Sequence, residues 1–177
     1  MNELKLKKDF KIASLFSGCG GMDLGFEGNF VFNNKKYKSL GYEIVWANEI
    51  DKGFAKTYKE NFNSEIIVED IRKVLDNPEL HNFPNNIDLV LGGFPCQDFS
   101  NSGKRRGFET DRGLLYQSMV KVVKELKPKS FIAENVPGLL SMHDGEALKK
   151  IIFDFNKVGY KTTYKLLNAF EFEVPQT

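Results

Sequence analysis

At 177 residues the chain has the length of one domain able to bury a core of its own, and 41% hydrophobic with 28% charged residues describes a folded globular protein. No apolar run approaches the length needed to cross a bilayer, and the lysine-rich start, Lys5 to Lys11, lacks the apolar stretch of a signal peptide, so a cytoplasmic protein is expected. The net charge of +1 names no partner; a nucleic-acid binder would more often carry a basic excess, here confined to patches such as Lys104-Arg105-Arg106.

Apolar, β-rich runs alternate with helical patterns along the chain. Strands are expected at 11–16, 42–48, 65–68, 88–91, 130–133 and 160–169. Asp51 can cap a helix carrying Phe54, Tyr58 and Phe62 at i, i+4, i+8. Residues 113–126 repeat the helical spacing with Leu115, Met119, Val122, Val123 and Leu126, and stop before Lys127-Pro128; residues 146–158 do the same and stop at Gly159. Residues 28–39 read as a surface excursion with no assigned function. The alternation predicts an α/β fold with a doubly wound, mostly parallel sheet.

Such a sheet keeps its reactive groups at the carboxyl ends of its strands. The first strand runs into Ser17-Gly18-Cys19-Gly20-Gly21-Met22-Asp23, where glycines let backbone approach a ligand at the start of the next helix. The run fails a strict GxGxxG because position 23 is Asp, and taken alone it fits a plain tight turn equally. The second strand ends in Asn48-Glu49-Ile50-Asp51, and a carboxylate there commonly accepts the ribose hydroxyls of a nucleoside cofactor. The third ends at Asp70-Ile71, where Asp70 can take an adenine amino group. Glu49 and Asp70 taken singly also suit a helix start, favoured by its dipole. Together the three strand ends favour a nucleoside-binding site.

The fourth strand delivers Gly93-Phe94-Pro95-Cys96-Gln97-Asp98-Phe99-Ser100, and the fifth ends in Glu134-Asn135-Val136. With two cysteines, two histidines and no metal-ligand spacing, a zinc site is not expected, and a free catalytic thiol is the better use of Cys96. A nucleophile and an acid at successive strand ends point to covalent catalysis. Cys96 alone would be read as a small buried hydrophobe, and Glu134 alone as a solvated strand-end carboxylate.

These motifs resemble the cytosine-C5 DNA methyltransferases. The resemblance rests on Leu15-Phe16-Ser17-Gly18-Cys19-Gly20-Gly21, Asn48-Glu49-Ile50-Asp51, Asp70-Ile71, Pro95-Cys96-Gln97, Arg112-Gly113, Glu134-Asn135-Val136, Asn168-Ala169 and Val174-Pro175-Gln176, in family order across nearly the whole chain. It implies a Rossmann-like methyltransferase sheet with S-adenosylmethionine as cofactor and double-stranded DNA as substrate, in a restriction–modification setting. Cys96 would add to C6 of a cytosine flipped out of the duplex. Glu134 would hold and protonate N3, and desolvation there would suit an acid at neutral pH. Asn135 would orient that site and Pro95 shape the nucleophile's turn. Phe16, Ile50, Asp70 and Ile71 would frame the adenine; Ser17, Gly18, Cys19, Gly20 and Gly21 would hold the methionine moiety, with Glu49 on the ribose and Gly93 at the cofactor's edge. The polar stretch 97–111 would close over DNA, with Ser100, Lys104, Arg105 and Arg106 as phosphate contacts.

The chain stops at Thr177, where the resembling enzymes continue into an arginine motif, another core strand and a target-recognition domain. A fragment is therefore expected, whether a truncated chain, the product of an interrupted gene or one half of a split enzyme, with one catalytic and cofactor-binding domain over 1–177 and its sheet incomplete at the C-terminus; in the split case a complementing C-terminal polypeptide would carry the target-recognition domain. A strand at 160–169 would then lack a neighbour. Two alternatives stand beside the DNA enzyme: a transfer-RNA cytosine-C5 methyltransferase, and a non-catalytic cofactor-binding subunit. A dehydrogenase reading is weakest, because it leaves Pro95-Cys96-Gln97 and Glu134-Asn135-Val136 unused.

Overall fold

Residues 10–95 and 115–176 are described by a computed structural model. The apolar runs become five parallel strands in one sheet: β1 (Phe10–Leu15), β4 (Tyr42–Glu49), β5 (Ile66–Val68), β6 (Leu89–Gly93) and β7 (Ser130–Glu134), in the order β5-β4-β1-β6-β7. The helices are α1 (Gly21–Glu27), α2 (Lys52–Asn61), α3 (Ile71–Asp76), α4 (Leu115–Leu126) and α5 (Glu146–Lys157). With β1 central and the chain winding outward both ways, this is the doubly wound parallel arrangement expected.

The two sheet faces carry different apolar layers because alternate strand residues point opposite ways. On one face Ile12, Ile44, Leu89 and Leu91 meet Ala55, Tyr58 and Phe62 of α2 and its end, with Met22 and Phe26 of α1 alongside. On the other, Ala13, Leu15, Trp46 and Val90 meet Ile71 and Val74 of α3, Met119, Val122 and Val123 of α4, and Ile151 and Phe155 of α5. The β1–β4 register slips between Ile12 (opposite Ile44) and Ala13 (opposite Trp46), so Val45 is an extra residue in β4. Val45 packs against the same layer as Trp46.

Helix starts follow local chemistry. The Asp51 side chain accepts from the backbone N–H of Gly53 (2.7 Å) and Phe54 (3.0 Å), capping α2 as expected. Phe54, expected on the buried face of α2, is 55% exposed; Tyr58 and Phe62 carry that face. The excursion at 28–39 contains a small hairpin, β2 (Phe30–Phe32) with β3 (Lys35–Tyr37), turned by Asn33 and Asn34 at φ 48° and 58°. Phe30 and Tyr37 stack across it with ring centroids 4.8 Å apart.

The sixth expected strand is a correction. Residues 160–168 form no strand, and a short 3-10 turn occupies Ala169–Phe172. An alternating apolar run becomes a strand only by pairing, and among the described residues β7 pairs with β6 alone, so its outer edge is open. Leu166, Leu167, Phe170 and Phe172 are each 58–66% exposed as a result. Among the described residues no helix is long and apolar enough to cross a membrane.

Candidate active site

All five strands being parallel, the segments after β1, β4, β5, β6 and β7 gather at one end of the sheet. Phe16 follows β1 in the left-handed region (φ 53°), a conformation that costs a non-glycine residue about 1–2 kcal/mol. Gly18 (φ 57°) and Gly20 (φ 92°) continue the reversal, and Gly20 caps α1. A Cβ at Gly18 or Gly21 would meet no atom within 4 Å, so the loop turns bare backbone to open space. Cys19 is exposed and free.

Glu49, 8% exposed at the end of β4, ties this loop to the next one. Its Oε2 accepts from the Gly18 N–H at 2.8 Å and its Oε1 from the Asp51 N–H at 2.9 Å. Ser17 N–H donates to the Asn48 carbonyl at 3.1 Å, and the buried Asn48 amide donates to the carbonyls of Ile67 (3.1 Å) and Glu69 (2.8 Å), which joins β5 to the group. Ile50 is 63% exposed beside Glu49, whereas the Ile71 side chain is 2% exposed and belongs to the core. Asp70 caps α3 through the Arg72 N–H (2.9 Å) and pairs with the Arg72 guanidinium at 2.6 Å. That guanidinium, together with the backbone bond, holds its carboxyl below the ordinary carboxylate range.

The residue that breaks the glycine pattern has its own role. Asp23 is 1% exposed; its Oδ1 accepts from the Ser14 hydroxyl at 2.7 Å and its Oδ2 from the Tyr58 hydroxyl at 2.8 Å, with Ser64 Oγ 3.2 Å from that hydroxyl. A chain of polar groups thus joins β1, α1 and α2 directly behind the glycine loop. The sequence marked Asp23 only as a departure and Tyr58 only as an apolar-face residue; a buried acceptor three positions past a glycine turn was the available signal. Burial pushes the Asp23 carboxyl above its ordinary 3.8, outweighing the two hydrogen bonds that pull it down. A group raised in the folded state contributes most below its unfolded value and loses that contribution as pH rises through the raised one. The melting temperature of the wild type relative to Asp23→Asn should therefore climb on going from pH 7 to below 3.8, measured as paired thermal melts; a constant difference would contradict it.

At the β6 and β7 ends, Gly93 lies opposite Glu134 in the ladder, and a Cβ on Gly93 would sit 3.1 Å from Glu134 Oε2. The Asn135 amide donates to the Phe94 carbonyl at 2.9 Å while its Oδ1 accepts from the Val136 N–H at 3.0 Å. Pro95, Glu134 and Asn135 are thereby brought together. Cys96, Ser100, Lys104, Arg105 and Arg106 lie outside the described residues, as do Gln97 and Arg112. Among the described residues the desolvation expected around Glu134 is not seen: none of them forms an element on the outer side of β7, and Glu134 is exposed.

A five-stranded parallel sheet with helices on both faces, a glycine loop after its central strand and a strand-end carboxylate bonded to that loop make this a Rossmann-like α/β domain. The family description C-5 cytosine-specific DNA methylase matches residues 10–177, and the chain belongs to that family, whose methyl donor is S-adenosylmethionine. It is 42% identical over 166 residues to the Type II methyltransferase M.FnuDI of Fusobacterium nucleatum, covering 94% of this chain and 44% of that protein. With M.NgoFVII of Neisseria gonorrhoeae it shares 43% over 166 residues, covering 94% and 41%. Among solved structures it resembles a prophage-encoded protein of E. coli described as a DNA modification methyltransferase (TM-score 0.62, 29% identity, 84% of this chain and 38% of that one). The S. pombe Dnmt2 methyltransferase shares the fold (TM-score 0.55, 22% identity, 82% and 42%). The chain spans less than half the length of these relatives.

Proposed function

We propose that these residues form the cofactor-binding and nucleophile-bearing part, a single domain over 1–177, of a Type II DNA cytosine-C5 methyltransferase acting on double-stranded DNA in the cytoplasm. The observation that carries this reading is the junction of β6 and β7, where Glu134 lies over Gly93 and Asn135 clamps Phe94, one residue from Pro95-Cys96.

S-adenosylmethionine, when bound, supplies an electrophilic methyl group. The open backbone of Gly18 and Gly21 and the half-buried face of Phe16 suit its methionine and adenine ends. Ser17, Cys19 and Gly20 carry the rest of that loop, Ile50, Asp70 and the backbone of Ile71 flank the adenine side, and Gly93 borders it. Glu49 keeps free lone pairs for the ribose beyond the two amide bonds it already accepts. Glu49→Ala is expected to weaken S-adenosylmethionine by about 1.5–3 kcal/mol, the scale of a charge-assisted hydrogen bond; calorimetric titration showing unchanged affinity would remove the ribose assignment.

On the substrate side, the Cys96 thiolate adds to C6 of a flipped cytosine while Glu134 protonates N3, so the ring accepts the electron pair and C5 becomes nucleophilic. Asn135 holds the glutamate strand against the Pro95 turn. After methylation, loss of the C5 proton expels Cys96. Ser100, Lys104, Arg105 and Arg106 are the proposed backbone contacts to DNA. Closure by a complementing polypeptide, which the open β7 edge and the exposed 166–172 apolar residues support, would bury Glu134.

The deciding experiment is transfer of labelled methyl from S-adenosylmethionine to unmethylated duplex DNA, with RNA as competitor. The chain is assayed alone and with the C-terminal part of a Type II relative. Label on cytosine C5 of DNA supports the reading; label on RNA alone, or none in either format, overturns it.

A further inference from the structure

Between the carboxyl ends of α4 and α5 lies an open groove of about 620 Å³ lined by Lys124, Lys127, Pro128, Lys157, Val158, Gly159 and Tyr160. The α4–β7 connection starts β7, and α5 begins beyond the end of β7 and runs back, so this groove sits at the amino ends of the strands. Strands of five or six residues at about 3.3 Å each place it roughly 15–20 Å from Pro95 and Glu134. It is a different surface from the one that receives the target base.

Its lysines are exposed, none is in an ion pair among the described residues, and no acidic side chain lines the groove. Lys124 and Lys157 occupy last turns, where a cation ordinarily complements the helix dipole. Lys127 is not explained that way. It lies past the end of α4 in the left-handed region (φ 47°), where glycine is the low-energy choice. A strained backbone thus holds a third cation at the groove. The floor is apolar and its hydroxyl is spent: Tyr160 donates to the Pro128 carbonyl at 2.6 Å. The Lys157 ammonium lies 5.5 Å from the Phe153 ring centroid, and with the exposed Lys124 and Lys127 it gives three cations along an open groove, which fit a line of repeating negative charge. The β2–β3 hairpin reaches the same end of the sheet, and residues 28–41 carry Lys35, Lys36 and Lys38 with no Asp or Glu.

Resting on the DNA-enzyme reading, we propose that this groove binds the phosphodiester backbone of duplex DNA without sequence preference, holding a second segment away from the one being methylated. The test is fluorescence anisotropy of this chain with a labelled duplex of A·T pairs only, which contains no target cytosine, over a salt series. Charge reversal in K124E/K127E/K157E should lower affinity at low salt ten-fold or more and flatten the slope of log K against log salt by about 2–3, near 0.9 per phosphate contact. Unchanged affinity and slope, or a wild-type chain that does not bind this duplex, overturns the proposal; so does selective loss of an acidic polypeptide probe with DNA binding intact. S-adenosylmethionine affinity in the same variant should stay at the wild-type value, which shows a folded domain and separates this result from any failure of methyl transfer. Lys127→Gly should flatten the slope by about 1 while the melting temperature holds or rises. A lower melting temperature with the wild-type slope would make Lys127 purely structural.

Discussion

Replacing Cys96 by alanine is expected to abolish methyl transfer, a fall of about 10⁴-fold or more, because no other step activates C5 once the thiolate is gone. The affinity for S-adenosylmethionine should stay within about two-fold, since the cofactor's contacts are proposed on the β1, β4 and β5 ends and at Gly93, three positions before Cys96 in the sequence. The reason to place the nucleophile there is local. Gly93 allows the Glu134 carboxylate within 3.1 Å of where its Cβ would be, and the Asn135 amide pins the Phe94 carbonyl, so Pro95 is held next to the acid. Labelled-methyl incorporation by the complemented enzyme, with calorimetry of the cofactor alongside, reads both quantities. Turnover near wild type would remove Cys96 from the mechanism; lost affinity for the methyl donor would instead make it part of the cofactor pocket.

Gly20→Ala should be a severely damaging small substitution for the fold. A Cβ there would lie 2.2 Å from Phe62 Cε2 and 2.6 Å from Cζ, on a residue at φ 92°. Phe62 cannot simply swing away: it is 8% exposed and stacked on Tyr58 with centroids 4.4 Å apart, and Tyr58 is tied to Asp23. Left-handed strain of about 1–2 kcal/mol and overpacking of about 1–3 kcal/mol together predict a loss of about 2–5 kcal/mol. Denaturant titration gives the number. In a Phe62→Ala background the same substitution should cost only the backbone part, so the double-mutant cycle should show coupling of about 1–3 kcal/mol. Additive losses would mean that the ring is not the obstacle.

Much of this fold was readable because its central strands are buried on both faces and so appear as short apolar runs, from Ile12 to Leu15 and from Leu89 to Leu91. Their order with intervening helices then dictates a parallel sheet. The placement of the candidate site residues was readable because a parallel sheet gathers its strand ends: Gly18, Glu49 and Glu134 all lie at that end, and their chemical roles are proposals. Three things escaped. The hairpin at 30–37 has strands of three residues, too short for periodicity to register. Residues 160–168 carry a strand's pattern, yet a strand is a relation between two segments, and none of the described residues supplies the second. The Ser14–Asp23–Tyr58 contact spans three elements, and no local rule places a serine, an aspartate and a tyrosine in one buried cluster.

The extra residue at Val45 works as a phase shifter. In an unbroken ladder with β1, alternation would continue from Ile44 without interruption, and every later β4 side chain would face the opposite layer. Trp46 would leave the α3–α4 layer, Asn48 would lose the β5 carbonyls, and Glu49 would aim away from Gly18. Two parities coexist in this strand. The half ahead of Val45 keeps step with the α2 layer, and the half behind it is timed to the glycine loop after β1. One residue therefore lets packing and chemistry be selected on the same strand without either dictating the other's alternation.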